Sequence, residues 1–79
     1  EIIIEVHKDK AFYFTAKNYL SSQKILETKE NGNIFVKYLV TQEMEIEELI
    51  KKWIPHIKVI SPISLKEKIE KELRDYLNL

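Results

Sequence analysis

Lys29-Glu30-Asn31-Gly32-Asn33-Ile34-Phe35-Val36-Lys37-Tyr38-Leu39-Val40 is the stretch whose reading decides the fold. Asn31-Gly32 predicts a two-residue type I′ turn, because that turn needs positive φ at both central positions and this pair reaches it at little steric cost. The residues before the turn, Gln23 to Lys29, read as a strand with Ile25 and Leu26 on opposite faces. Those after it, Ile34 to Val40, read as the hairpin partner. There Ile34, Val36, Tyr38 and Val40 share one face, and Phe35, Lys37 and Leu39 share the other. Both faces are largely apolar, which suits a strand in the middle of a sheet rather than one at its edge.

On the N-terminal side, Ile2 to His7 is a β-branched run that alternates with charge and places Ile2, Ile4 and Val6 on one face. Asp9 is a suitable cap for a helix from about Lys10 to Tyr19, with Phe12, Ala16, Tyr19 and Leu20 along one side and Tyr13 and Phe14 outside that stripe. On the C-terminal side, a segment beginning at Thr41 carries Glu43, Glu45, Glu47 and Glu48 early and Lys51 and Lys52 late, the charge order that a helix dipole favours. Its apolar side is Ile46, Leu49, Ile50, Trp53 and Ile54, and Pro55 ends it. A short strand follows at Ile57 to Ile60. Ser61-Pro62 and the box Ser64-Leu65-Lys66-Glu67 both offer starts for a final helix with the stripe Leu65, Ile69, Leu73, Tyr76 and Leu77.

Strand, helix, hairpin, helix, strand is the ferredoxin-like order βαββαβ. It gives an α+β fold with a four-stranded antiparallel sheet of order 4-1-3-2 and two helices on one face, followed here by an additional C-terminal helix. On this reading Ile3, Ile25, Phe35, Leu39 and Ile60 point away from the two crossover helices. Either the last helix covers that second face or a partner does. A partner is expected, with Leu65, Ile69 and Leu73 engaged at the sheet edge, so Ile3, Phe35, Leu39 and Ile60 are the candidate interface.

Composition bounds the rest. Seventy-nine residues with 44% hydrophobic and 33% charged side chains, one glycine and two prolines make a single folded domain with a shallow core. Lys plus Arg equals Asp plus Glu at 13 each, which leaves no surplus to drive phosphate-backbone binding. Cysteine is absent, which removes disulfides and thiolate chemistry and suits a cytoplasmic chain. No apolar run is long enough to span a membrane, and Glu1-Ile2-Ile3-Ile4-Glu5-Val6 lacks the basic region of a signal peptide. A chain that opens directly in a strand without an initiator methionine reads as an excerpt of a longer protein.

Residues that carry chemistry are sparse. His7 and His56 lack metal-ligand spacing, Ser21, Ser22 and Ser61 sit at element ends, and the acids alternate with lysine on a solvated helix flank. No enzyme, metal or cofactor is expected. Lys8, Lys10, Tyr13 and Lys17 form a weak candidate for facing an anionic ligand, against the plainer reading of a solvated surface. Gly32-Asn33-Ile34-Phe35-Val36-Lys37-Tyr38 matches part of the RNA-recognition-motif strand signature. It lacks the basic residue before the glycine and the first stacking aromatic, where Asn31 and Asn33 stand. An ACT-like small-molecule sensor is the other alternative, weakened because Lys8-Asp9-Lys10 has no glycine for a ligand loop.

The run Glu45-Ile46-Glu47-Glu48-Leu49-Ile50-Lys51-Lys52-Trp53-Ile54, then Ile57-Lys58-Val59-Ile60-Ser61-Pro62, then Leu65-Lys66-Glu67 and Ile69, resembles the C-terminal extension (WCX) of WYL-domain bacterial transcriptional regulators. In that family a helix closing on a tryptophan-aliphatic pair leads to a valine-rich strand and a proline-led last helix. Gln23-Lys24-Ile25 before Asn31-Gly32 is similar too. The resemblance implies a non-catalytic regulatory and dimerisation domain, with a homodimer and the WYL module of the same regulator as partners. DNA is implied only through domains outside this chain, and no functional residue is carried over.

Overall fold

The computed structural model describes all residues, Glu1–Leu79. Its elements run β1 (Ile2–Val6), α1 (Lys8–Ala16), β2 (Lys24–Thr28), β3 (Ile34–Tyr38), α2 (Glu43–Trp53), β4 (Ile57–Ser61) and α3 (Ile63–Leu77). The four strands form one antiparallel sheet of order β2-β3-β1-β4, the expected 4-1-3-2 read from the other edge. The fold is ferredoxin-like, with α3 added.

Alternation in the two central strands works as the sequence dictates. Ile2, Ile4 and Val6 of β1 and Ile34, Val36 and Tyr38 of β3 are all buried on the helix side. There they meet Phe14 of α1, Ile46, Leu49 and Ile50 of α2, and Leu65 and Ile69 of α3 in a single core. The last helix therefore lies on the same face as α1 and α2. Ion pairs Lys68–Glu47 at 3.1 Å and Lys51–Glu72 at 2.8 Å tie it laterally to α2. It starts at the first of its two candidate positions, with Pro62 as N-cap and Ser64 already inside the helix.

Four local expectations are corrected. The hairpin turn is not type I′, since Gly32 alone has positive φ (93°). The loop Glu30-Asn31-Gly32 closes with Gly32 N–H donating to Lys29 O at 3.0 Å and Lys29 N–H to Asn33 O at 2.7 Å. That is the three-residue hairpin in which only the glycine takes the left-handed position. A Cβ on Gly32 would also come within 3.0 Å of Lys8 Cβ, so glycine is demanded there by conformation and by space.

Second, the strand before the turn carries a bulge. Its pairing shifts between Ile25 and Glu27, so Ile25 stands opposite Val36 and packs against the core while Glu27 stands opposite Phe35. One inserted residue reverses the facing of everything before it. Ile25 consequently leaves the outer face, and Leu26 joins it.

Third, α1 begins at Lys8 and is capped by His7, whose Nδ1 accepts the Asp9 N–H at 3.1 Å. Its buried residues are Ala11 and Phe14, whereas Phe12 is 73% exposed. The helix ends at Ala16 because the Gln23 side chain intercepts its carbonyls. Gln23 Nε2 donates to Phe14 O at 2.7 Å and to Lys17 O at 2.8 Å, and Gln23 Oε1 accepts the Tyr19 N–H. The buried Tyr38 hydroxyl donates to the same Oε1 at 2.7 Å, and burial holds that phenol well above its ordinary range. Fourth, α2 begins at Glu43 rather than Thr41, and β4 continues to Ser61.

Candidate interaction surface

With all three helices on one side, the other side of the sheet has no cover from this chain. Strand register lays out two rows across it. One runs Lys24, Lys37, Ile3, and the other Glu27, Phe35, Glu5, Lys58. Irregularities on both flanks add apolar bulk. Leu26 is the extra residue of β2, and Ile60 falls unopposed where β1 partners jump from Val59 to Ser61. Ile3, Leu26, Glu27, Phe35 and Ile60 thereby surround an open hollow of about 400 Å³. Leu26 is 44% exposed and Ile60 37%.

Charge frames this hollow asymmetrically. Glu5 Oε2 accepts from Asn33 Nδ2 at 2.8 Å and from Lys29 Nζ at 3.0 Å. The Asn33 hydrogen bond, then that of Lys29, holds the Glu5 carboxyl below its ordinary range. The same ammonium lies 5.4 Å from the Phe35 ring centre, within cation–π range. At the other corner Lys24 and Lys37 stand directly opposite each other, like charges with no ion-pair partner. The surface offers an apolar centre, two free cations in the row of Lys24 and Lys37, and in the next row the internally neutralised Glu5 with Glu27 and Lys58, neither of which makes an ion pair.

Of the interface residues expected from the sequence, the structure brings Ile3, Phe35 and Ile60 together. Leu39 lies past the end of β3, 60% exposed, with its N–H donating to Ser22 Oγ, and it does not line the hollow. Leu26 was missed, since only the bulge turns it outward.

Lys8, Lys10, Tyr13 and Lys17 do not converge. Lys10 and Lys17 lie over different rings, Tyr13 at 5.6 Å and Tyr19 at 5.3 Å, and the Lys8 N–H donates to Asn33 Oδ1 at 2.8 Å. Tyr13 joins Phe14 and Tyr19 around Trp53, with ring centres 5.1 to 5.7 Å from the indole. Trp53 is therefore the keystone between α1 and α2, as its helical spacing predicts. His7 and His56 stack edge-on at 5.9 Å across the ends of β1 and α2. No helix is long and apolar enough to cross a membrane.

Two comparisons with known proteins bear on identity. No curated protein matches the chain. The family model described as WCX domain matches residues 1–77, nearly the whole length. The helix-turn-strand run from Glu45 to Pro62 that carried the resemblance lies inside that match, on the α2, β4 and α3 framework that builds the core. The chain belongs to the WCX domain family, the C-terminal extension of WYL-domain regulators.

Proposed function

We propose that this chain is a non-catalytic regulatory domain of a cytoplasmic, dimeric WYL-type bacterial transcriptional regulator, and that it docks the WYL module of that regulator on the open face of its sheet. The observation that carries the reading is that α3 packs beside α2, leaving Ile3, Leu26, Phe35 and Ile60 uncovered by the chain's own residues. Burying an exposed side chain of this kind fully is worth on the order of 1.5 to 3 kcal/mol. With Leu26 44% and Ile60 37% exposed and Ile3 and Phe35 half-buried, a folded partner that closes over them gains a fraction of that at each. Lys24 and Lys37 at the rim favour a partner surface with acidic groups there. DNA is read by a winged helix outside residues 1–79, and this domain acts on it through protein contacts.

The test uses the full regulator. Phe35→Asp sets a carboxylate in the centre of the hollow, where Phe35 is half-buried and not part of the sealed core. The variant should keep native circular dichroism and release the domain from the WYL module, read as faster proteolysis between the two and a larger radius of gyration in solution scattering. A variant indistinguishable from the parent in both would count against docking on this face. An RNA-recognition-type role has one platform aromatic, Phe35, to rest on. Micromolar binding of single-stranded RNA lost on Phe35→Ala would replace the protein partner with nucleic acid.

A further inference from the structure

Helix α3 carries two stripes, and the fold uses one. Leu65 and Ile69, at 1% and 5% exposure, face the sheet. The second stripe is Ile63, Lys66, Glu70, Leu73 and Leu77, spaced by alternating steps of three and four. At 3.6 residues per turn these five lie within about 80° of arc, the narrow seam of a helix that pairs with another helix. Ile63 is 62% exposed, Leu73 40% and Leu77 78%. Lys66, Glu70 and Leu73 also form one wall of a groove of about 340 Å³ whose other side is Ile54, Pro55 and Ile57.

Charge supplies the second observation. Lys68 pairs with Glu47, Glu72 with Lys51, and Lys71 with Asp75, whereas Lys66 and Glu70 make no ion pair. Two unpaired opposite charges therefore sit midway along a stripe whose ends are apolar.

We propose that α3 pairs antiparallel with α3 of a second copy, about a two-fold axis at the level of Lys68. In that register Ile63 meets the partner's Leu73, and Lys66 meets the partner's Glu70. The two-fold repeats both contacts, giving four layers, apolar at the ends and ionic in the middle. The alternatives are worse electrostatically. A parallel pair sets Lys66 against itself and Glu70 against itself. An antiparallel pair centred on Glu70 opposes Glu70 to Glu70 and Lys66 to Arg74. Like charges in contact select against both. The inference rests on the reading of a dimeric regulator and names the contact between copies, on the opposite side of the molecule from the sheet face. A contact between two helices of 15 residues lies at the small end of stable interfaces, so the association is expected to be weak and concentration-dependent.

Sedimentation equilibrium of the 79-residue chain, which closes its own core, tests this. The parent should dimerise. Lys66→Glu and Glu70→Lys, each at a solvent-accessible position, should each weaken dimerisation by about tenfold or more while leaving thermal unfolding of the monomer unchanged. The double reversal should restore the parent affinity. Phe35→Asp should leave dimerisation intact, so failure of the sheet-face reading is seen separately. A parent that stays monomeric at millimolar concentration overturns the proposal. So do single reversals without effect, a double reversal that does not rescue, or a dimer dissolved by Phe35→Asp.

Discussion

Gly32 answers two demands at one position, a positive φ and a close approach in which an added Cβ would lie 3.0 Å from the Lys8 Cβ. A non-glycine residue held in the left-handed region costs on the order of 1 to 3 kcal/mol. Gly32→Ala should therefore lower unfolding free energy by about 2 kcal/mol in urea titration, and an unchanged midpoint would contradict the geometry assigned to the turn. The loop it closes places Asn33, whose side chain accepts the Lys8 N–H at the start of α1 and donates to Glu5. Because the folded Glu5 carboxyl titrates below its unfolded value, ionised Glu5 contributes stability above the ordinary glutamate range, and that contribution disappears as pH falls through the folded value. Glu5→Gln should be destabilising at neutral pH, with the penalty fading as pH falls through the folded Glu5 value; a penalty independent of pH would assign its role to shape instead. At this scale the glycine was legible and the turn type was not, since Asn-Gly serves both the two-residue and three-residue loops. Gln23 was not legible at all. Its role as a bridge from the end of α1 to Tyr38 depends on long-range placement that no local pattern encodes.

Among the elements, the three with the clearest periodicity behaved as read. The central strands put alternate residues into the core, and α2 buried Ile46, Leu49 and Ile50 between an acidic start and a basic end. The shorter α1 was misread by a rotation of its face, because its start is set by His7 and Asn33 rather than by Asp9, and nine residues give too little pattern to fix the phase. Of the flanking strands, β2 was misread because its bulge turns Leu26 outward and Ile25 inward, whereas Ile60, beside the irregularity between β1 and β4, faces outward as read. Helix α3 divides into a half that holds the fold and a half that does not. Leu65→Ala should cost about 2 to 5 kcal/mol of stability, and Leu77→Ala should fall within about 0.5 kcal/mol of the parent. Equal losses at both positions, measured by thermal unfolding, would contradict the placement of α3 beside α2.

For the molecule as a whole, the consequence of placing α3 with the other helices is a two-sided object. One side is a closed core under three helices, and the other is a sheet surface whose apolar centre has nothing of its own to cover it. The sheet order followed from the sequence, which left two covers for the second face, the last helix or a partner; the structure removes the first and brings Ile3, Phe35 and Ile60 together there. Leu39 did not belong there because β3 ends at Tyr38. The absence of cysteine makes the face open to a clean probe, since a single introduced thiol has no native competitor in this chain. Ile60→Cys places that thiol at the rim of the hollow, at a position 37% exposed. The decisive measurement is its alkylation rate, followed peptide by peptide by mass spectrometry, in the isolated chain and in the full regulator. If the WYL module closes over the sheet, the rate falls by about tenfold or more in the full regulator, as expected for a thiol moved from solvent into a protein interface. Equal rates in the two contexts would show the face uncovered in the working protein and contradict the account.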